Sequence, residues 1–322
     1  MSYLQRLGNS ISIRIPSDED GFTGRECPVS ECEGYFKVQF GTGLQGDALP
    51  CHCPYYGHTA GHDQFWTKEQ IEYAKSVAIR QVTDAFRKDL KRLEFEHKAQ
   101  GAFGIGISMK VTPGSPTPIR HYREKQLETQ VVCAGCTFRY AVYGVFAFCP
   151  DCGQHNSLQI LQKNLELARK MLDMAASVDA DLSRHLIDNA LEDCVSAFDG
   201  FGREICRVYA RSAIDPAAVE RLSFQSLGAA RDRVAQLFGI DLSAALRPNE
   251  WEETVRAFHE RHVLAHKMGV VDEEYLRRSG DRKAVIGRKL NVPSEEVVLL
   301  LGWLDTLGQY LHREFAIKGT LG

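Results

Sequence analysis

Four cysteines in the middle of the chain have the spacing of a metal site. Cys133 and Cys136 form one Cys-x2-Cys pair, and Cys149 and Cys152 form a second pair within "CPDCG". Four thiolates on two tight turns suit tetrahedral zinc, because the free backbone amides of such turns can donate hydrogen bonds to the sulfurs. The residues between the pairs have a strand-like composition. The sequence therefore predicts a zinc ribbon over residues 131–157 with a closed, structural metal site.

A second set of candidate metal ligands lies nearer the start of the chain and is less regular. Its members are Cys27, Cys32, Cys51, Cys53 and His58. In "CPYYG", Tyr56 occupies the place of the second cysteine in the common knuckle "CPYCG". We predict that three thiols bind zinc here and that either Cys51 or His58 completes the set. His58 follows Cys53 at the same spacing as Cys32 follows Cys27, whereas Cys51 is only two residues from Cys53.

The segment "FHERHVLAHKMG" concentrates histidines on one predicted helix. This helix is expected to begin after an N-cap at Asn249 and to end at Gly269, a usual C-terminal signal. Arg261 and His266 lie five positions apart, which separates them by about 140° around a helix axis. One helix does not aim both side chains at one atom, so a second copy across a dimer axis would be needed to combine them.

Metal binding is one alternative for this segment. His262 and His266 are four positions apart on one helix face, as in zinc-binding helices. The segment lacks the glutamate that follows the first histidine in the metalloprotease signature, and the sequence offers no third ligand. The other alternative is an ordinary charged helix surface without chemistry.

The order of arginine, polar residue, three further residues and histidine is similar to the motif of the HEPN superfamily. Arg261, His262 and His266 carry it, and "ALEDCVSAFDGFGREICR" with Asp199 resembles the first long helix of such domains. The resemblance covers residues 158–322. It implies a helical bundle that acts as a metal-independent endoribonuclease, with a toxin or an antiviral defence effector as its role.

The resemblance also assigns parts to the residues. RNA supplies its own nucleophile, the 2′-hydroxyl, so the enzyme needs a proton acceptor and a positive charge on the phosphate. His266 would be the base or the acid, Arg261 would grip the phosphate, and His262 would orient the substrate or lie on the surface. The implied partners are RNA, a second copy of the chain and a neutralising or sensor protein. The basic stretch from Arg277 to Lys289 follows directly and could hold an RNA backbone.

Hydrophobic periodicity indicates which predicted strands and helices carry the candidate ligands and histidines. Short aromatic-rich runs fill the first half, whereas apolar residues recur at intervals of three and four from about residue 158. The predicted fold class is α+β, mostly α, with two small antiparallel zinc ribbons and a C-terminal all-α bundle. A long helix should begin at the capping pair Thr67 and Gln70. The predicted domains are a zinc-ribbon-like module over 1–64, a helix and basic connector over 65–125, a four-cysteine ribbon over 126–157 and an HEPN-like domain over 158–322.

Composition limits the classes of function. The chain has 322 residues and a formal charge of -3, so no overall field favours a polyanion. No apolar run reaches the roughly 20 residues that span a bilayer, so we expect no membrane association and a cytoplasmic location. Ten cysteines in that reducing compartment favour metal binding over disulfides. A non-catalytic nucleic-acid, nucleotide or dimerisation module is the alternative to the ribonuclease, and a DNA-binding regulator is less favoured.

Overall fold

The computed structural model divides the chain into two compact units, Met1–Gln154 and His155–Gly322. The named strands all lie in the first unit, beside one long helix, and the second unit is helical, so the predicted α+β, mostly α class is confirmed. No helix in the described part of the chain has both the length and the apolar composition needed to cross a bilayer. The described residues are 2–46, 49–97, 107–112, 114–127 and 129–319.

The first unit is built from short antiparallel strands and two helices. The strands are β1 (Thr23–Glu26), β2 (Tyr35–Val38), β3 (Cys51–His52), β4 (Thr59–Ala60), β5 (Phe95–His97), β6 (Ile107–Met109), β7 (Thr129–Val132) and β8 (Arg139–Val142). The helices are α1 (Tyr3–Arg6) and α2 (Lys68–Lys91), with a 3-10 turn at His62–Phe65.

Two cysteine-bearing hairpins share one sheet in this unit. The strand order is β1-β2-β8-β7, and Val38 on β2 faces Tyr140 on β8. Since side chains alternate along a strand, Phe36 and Val38 lie on the same face of β2, and Tyr140 and Val142 on the same face of β8. These four side chains are fully buried. The two ribbons that the sequence presents as separate segments therefore share one core.

The long helix α2 begins where the sequence predicts. The Thr67 hydroxyl accepts the N–H of Gln70 (3.1 Å), and the Gln70 side chain accepts the N–H of Thr67 (3.2 Å). This reciprocal pair is the predicted capping box, which satisfies two free amides of the first turn. The Gln70 amide also donates to the Gly24 carbonyl (2.9 Å) and so ties α2 to β1.

The second unit is a bundle around one apolar core. Its helices are α3 (Ser157–Ala175), α4 (Ala180–Val208), α5 (Pro216–Val219), α6 (Leu227–Phe238), α7 (Pro248–Lys267), α8 (Glu273–Ser279) and α9 (Ser294–Gly319), with 3-10 turns at Ala210–Ser212 and Leu242–Ala245. The apolar stripe predicted on the last helix is buried in this core and is formed by Val297, Leu300, Leu304, Leu307 and Leu311.

Aromatic packing fixes α7 against α4. The ring of Phe198 on α4 lies 6.0–6.2 Å from the rings of Phe201, Phe224 and Phe258. Such tilted and edge-to-face pairs contribute about 0.5–1.5 kcal/mol each beyond burial. Gly202 permits this packing, because a Cβ at that position would lie 2.6 Å from the Phe224 ring. The cluster sets the orientation of the helix that carries the histidines.

The start of α7 differs from the sequence prediction. Asn249 is not the N-cap, because the helix begins at Pro248 with Arg247 as its N-cap. Proline suits the first helical position, since its fixed φ is already helical and its missing N–H is not needed there. The Glu250 carboxylate accepts the N–H of Arg247 (3.0 Å) and completes the start of the helix.

Candidate metal centres and histidine site

The structure brings the four cysteines of the second ribbon together. Their sulfurs all lie within 4.8 Å of one another. Cys133 and Cys152 are 3.6 Å apart, as are Cys136 and Cys149. Two thiolates bound to one tetrahedral zinc lie about 3.8 Å apart when each Zn–S bond is about 2.3 Å, whereas sulfurs in a disulfide are about 2.0 Å apart. The distances therefore fit four ligands of one metal ion and exclude disulfides in this group.

Hydrogen bonds to sulfur stabilise the thiolate form of one cysteine in this group, Cys133. The pKa of Cys133 is lowered, because Cys149 donates a hydrogen bond to its sulfur and the amides of Gly135 and Cys136 donate further bonds. The pKa of Cys149 is raised, since it donates its own proton in the hydrogen bond to Cys133 and is buried. Thiolate is the form that binds metal. The group can therefore hold a metal ion with its own amides as supporting donors.

The first cysteine set also forms a group, with three members. The sulfurs of Cys27, Cys32 and Cys53 lie within 4.8 Å of one another, and Cys32 and Cys53 are 3.7 Å apart. The amides of Tyr55 and Tyr56 donate to the Cys53 sulfur. The three thiols that the sequence predicts as zinc ligands are thus brought together, with the spacing and amide donors of a metal site.

Neither proposed fourth ligand belongs to this group in the described part of the chain. Cys51 is fully buried on β3, and burial raises its pKa to about 12 although Arg25 opposes that shift. The His58 ring lies 6.3 Å from the Phe65 ring, and its carbonyl accepts the N–H of Cys53 (2.7 Å). The choice between Cys51 and His58 therefore stays a prediction.

The histidines of α7 lie near the end that the sequence predicts. The helix ends at Lys267, and Met268 and Gly269 have φ of 53° and 75°, the left-handed conformation of a helix C-terminus. His262 and His266 are exposed, and their ring centroids are 4.9 Å apart. The structure therefore places two imidazoles side by side on an accessible surface.

Arg261 lies apart from the exposed histidines, against the neighbouring helix. Its side chain is buried, with 8% exposed, and its Nη2 donates to the Ser196 hydroxyl on α4 (3.4 Å). Its Nε has no hydrogen-bond partner among the described residues. This direction agrees with the angular separation of Arg261 and His266 that helix geometry requires.

The surroundings of His262 favour a neutral imidazole. Burial and the positive charges of His266 and Lys267 lower the pKa of His262 from its ordinary value, and Glu274 opposes them. His259 and His262 line a pocket that also contains Arg278. An arrangement of a neutral imidazole beside a second imidazole can accept one proton and donate another.

A buried carboxyl on the same helix was missed by sequence reasoning. Glu260 is only 5% exposed, and burial raises its pKa to about 7 although Arg256, 3.4 Å away, opposes that shift. One signal was present: Glu260 is three positions after the buried Ala257, on the apolar side of α7. Glu260 lines a cavity of about 730 Å³ whose wall includes much of the predicted basic stretch, namely Arg282, Lys283, Arg288 and Lys289.

Asp199 has a structural contact in this fold. Its carboxylate accepts the N–H of Phe224 (2.6 Å) and lies 3.6 Å from the Arg203 guanidinium. It therefore holds the chain that precedes α6.

Comparison with known proteins gives no assignment for these sites. Any inference about function therefore rests on the geometry of the two cysteine groups and of the histidine pair. The chain matches no protein-family model, no curated protein and no solved structure.

Proposed function

We propose that this protein is a metal-independent endoribonuclease of HEPN type that carries structural zinc in its first unit. The exposed pair His262 and His266 at the end of α7 is the observation on which we base the activity, because two adjacent imidazoles can serve as base and acid in one reaction. Its substrate is RNA, its active form is a homodimer, and it works in the cytoplasm as a toxin or defence effector with a neutralising or sensor partner.

The reaction uses the 2′-hydroxyl of RNA as nucleophile. One imidazole takes the 2′-proton while the 2′-oxygen attacks phosphorus, and the other imidazolium protonates the leaving 5′-oxygen. The products are a 2′,3′-cyclic phosphate and a free 5′-hydroxyl. The lowered pKa of His262 suits the accepting part and leaves the donating part to His266. Positive charge on the phosphate stabilises the transition state. The resemblance to the HEPN motif assigns this part to Arg261, although its side chain lies buried against α4 in the single chain.

The metal proposal rests on the donor sets. Thiolates select soft or borderline ions, and a tetrahedral four-sulfur set is typical of structural zinc. Each group would bind one Zn²⁺, giving two ions per chain. The zinc would fix the knuckles, and the first unit would position nucleic acid or a protein partner.

Cleavage of a labelled RNA in the absence of added metal tests the activity. We expect His266→Ala and His262→Ala to lower the rate at least 100-fold, the scale of a lost acid or base. His185→Ala, another exposed histidine in the second unit, is the matched control and should keep full activity. Mass spectrometry should find a 2′,3′-cyclic phosphate, and DNA should remain intact. Full activity in both α7 variants, or cleavage of DNA, would contradict the proposal.

Elemental analysis tests the zinc sites separately. We expect two zinc ions per chain, and Cys149→Ser should release one and destabilise the first unit. Cys194→Ser is the matched control, because Cys194 is fully buried but belongs to neither group. A content of one ion would remove the first site and leave the second.

The burial of Arg261 favours one alternative, a non-catalytic nucleic-acid or nucleotide-binding or dimerisation module. An arginine that packs against Ser196 can serve the fold alone. In that case RNA would be bound and never cut, and the His266→Ala variant would bind it like the parent. Binding and cleavage measured on the same RNA separate the two functions.

A further inference from the structure

The two "CPxxG" knuckles have the same backbone. Gly57 donates its N–H to the Cys53 carbonyl (2.9 Å), and Gly153 donates its N–H to the Cys149 carbonyl (2.9 Å). Both glycines are left-handed, with φ of 65° and 72°. The knuckle at residues 53–57, which contains Tyr56, therefore closes in the same way as the knuckle at residues 149–153, which carries two cysteines of the four-cysteine group.

These knuckles also pair with each other. The N–H of His52 donates to the Pro150 carbonyl (2.8 Å), and the N–H of Phe148 donates to the Pro54 carbonyl (2.8 Å). A Cβ at Gly57 would contact the Phe148 ring at 3.5 Å, and a Cβ at Gly153 would lie 3.1 Å from the His52 ring. The reciprocal contacts relate the two knuckles residue by residue, so that Tyr56 corresponds to Cys152.

The sulfur contacts of the two cysteine groups differ at the position of Tyr56 and Cys152. The contact of Cys136 with Cys149 (3.6 Å) has its counterpart in the contact of Cys32 with Cys53 (3.7 Å). The contact of Cys133 with Cys152 has no counterpart among the described residues, because Tyr56 carries no thiol. The Tyr56 side chain is 58% exposed. The fourth corner of the first site therefore faces solvent.

Neither neighbouring candidate is placed to fill this corner. Cys51 is held on β3 by its backbone pairing with Ala60, and its sulfur lies outside the three-thiol group. The His58 ring nitrogens also lie outside the three-thiol group, and the His58 carbonyl accepts the N–H of Cys53 (2.7 Å). The backbones of both residues are thus fixed by the same hairpin that positions Cys53.

We propose that the first site binds its metal through Cys27, Cys32 and Cys53 and keeps an exchangeable fourth position that takes water or a small thiolate. This inference rests on the proposed zinc binding. Metal sites with three protein ligands keep their fourth position for water or another ligand, whereas four-ligand sites are closed. On exchange, the incoming thiol gives its proton to solvent, its sulfur binds the metal and one water leaves. The two sites therefore differ in function: one is closed and the other accepts a ligand.

Cobalt substitution in the full chain tests the inference, because thiolate-to-cobalt absorption reports the number of bound sulfurs. Adding 2-mercaptoethanol to the parent should raise that absorption by about one seventh, since seven bound thiolates (three plus four) become eight. Tyr56→Cys should show the higher absorption without added thiol and should not respond to it. Tyr143→Cys is the matched control, because it adds a thiol at another exposed tyrosine and should respond like the parent.

The outcomes separate this inference from the zinc proposal. Two bound cobalt ions without a thiol response in the parent would overturn the exchangeable position and leave the zinc sites intact. A changed spectrum in Cys51→Ser or His58→Ala before thiol is added would do the same, because it would identify the fourth ligand. A single bound cobalt ion, retained by the four-cysteine group, would overturn both the first zinc site and the inference.

Discussion

Replacement of Arg261 by methionine separates the contribution of this residue to the fold from its proposed contribution to catalysis. Methionine keeps a long flexible stem that fills the space beside α4, but it removes the guanidinium. Arg261 as a whole is 8% exposed, and its guanidinium makes one hydrogen bond of 3.4 Å and leaves Nε without a partner among the described residues. In the same described residues no carboxylate lies within ion-pair distance of Arg261. The folded chain therefore buries this side chain with a single weak hydrogen bond.

The expected magnitude follows from these contacts. An unsatisfied buried polar group costs about 1–3 kcal/mol, and the weak bond to Ser196 returns about 1 kcal/mol. Arg261→Met should therefore leave the free energy of unfolding unchanged or raise it by about 1–2 kcal/mol. For a unit of this size, an increase of that kind raises Tm by roughly 2–8 °C. RNA cleavage should nevertheless be lost, which is the usual conflict between stability and activity at a functional site.

Urea unfolding followed by circular dichroism measures the stability change, and the labelled-RNA assay measures the activity. Arg256→Met is the matched control on the same helix. Arg256 lies 3.4 Å from the buried Glu260, so its loss leaves a buried carboxyl without a counter-charge and should destabilise the unit. A loss of more than about 1 kcal/mol in Arg261→Met would refute the reasoning, since it would mean that the guanidinium stabilises the fold.

Three further outcomes are expected. The free energy of unfolding of the second unit should fall as pH rises from about 4.5 to about 7, because the raised pKa of Glu260 lets the folded chain keep a proton that the unfolded chain has released. Glu260→Gln should remove this fall in urea titrations at pH 5 and 8, and a fall as large as that of the parent would contradict the prediction. Gly153→Ala should destabilise the first unit more than Gly144→Ala, since both carry a left-handed φ but only the first new Cβ meets a neighbour, the His52 ring at 3.1 Å; equal melting temperatures would exclude that contact. Light scattering of the active protein should report twice the mass of one chain, and an active monomer would remove the shared site.

Much of the local structure was predictable because local hydrogen bonds determine it. Thr67 and Gln70 predict the start of α2, since both partners of the capping box lie within four residues. Gly269 predicts the end of α7, because a glycine in the left-handed conformation closes the last turn of a helix locally. The prediction of Asn249 as N-cap was wrong, because Pro248 and Glu250 form a competing start two residues earlier. Local signals can conflict, and the fixed φ of proline decides between them.

The sequence by itself determined which cysteines form groups that could hold a metal ion, because the spacing of each cysteine pair sets the turn that carries them. It also determined that Arg261 and His266 diverge on one helix, since helix geometry alone fixes that angle. Only the tertiary structure decided that the two ribbons share one sheet and that their knuckles pair. In that pairing, Tyr56 occupies the position that corresponds to Cys152. The same holds for the burial of Glu260 and Arg261, because burial depends on helices distant in the chain. Contacts between distant segments follow from the packing of whole elements, and no local pattern of residues encodes them.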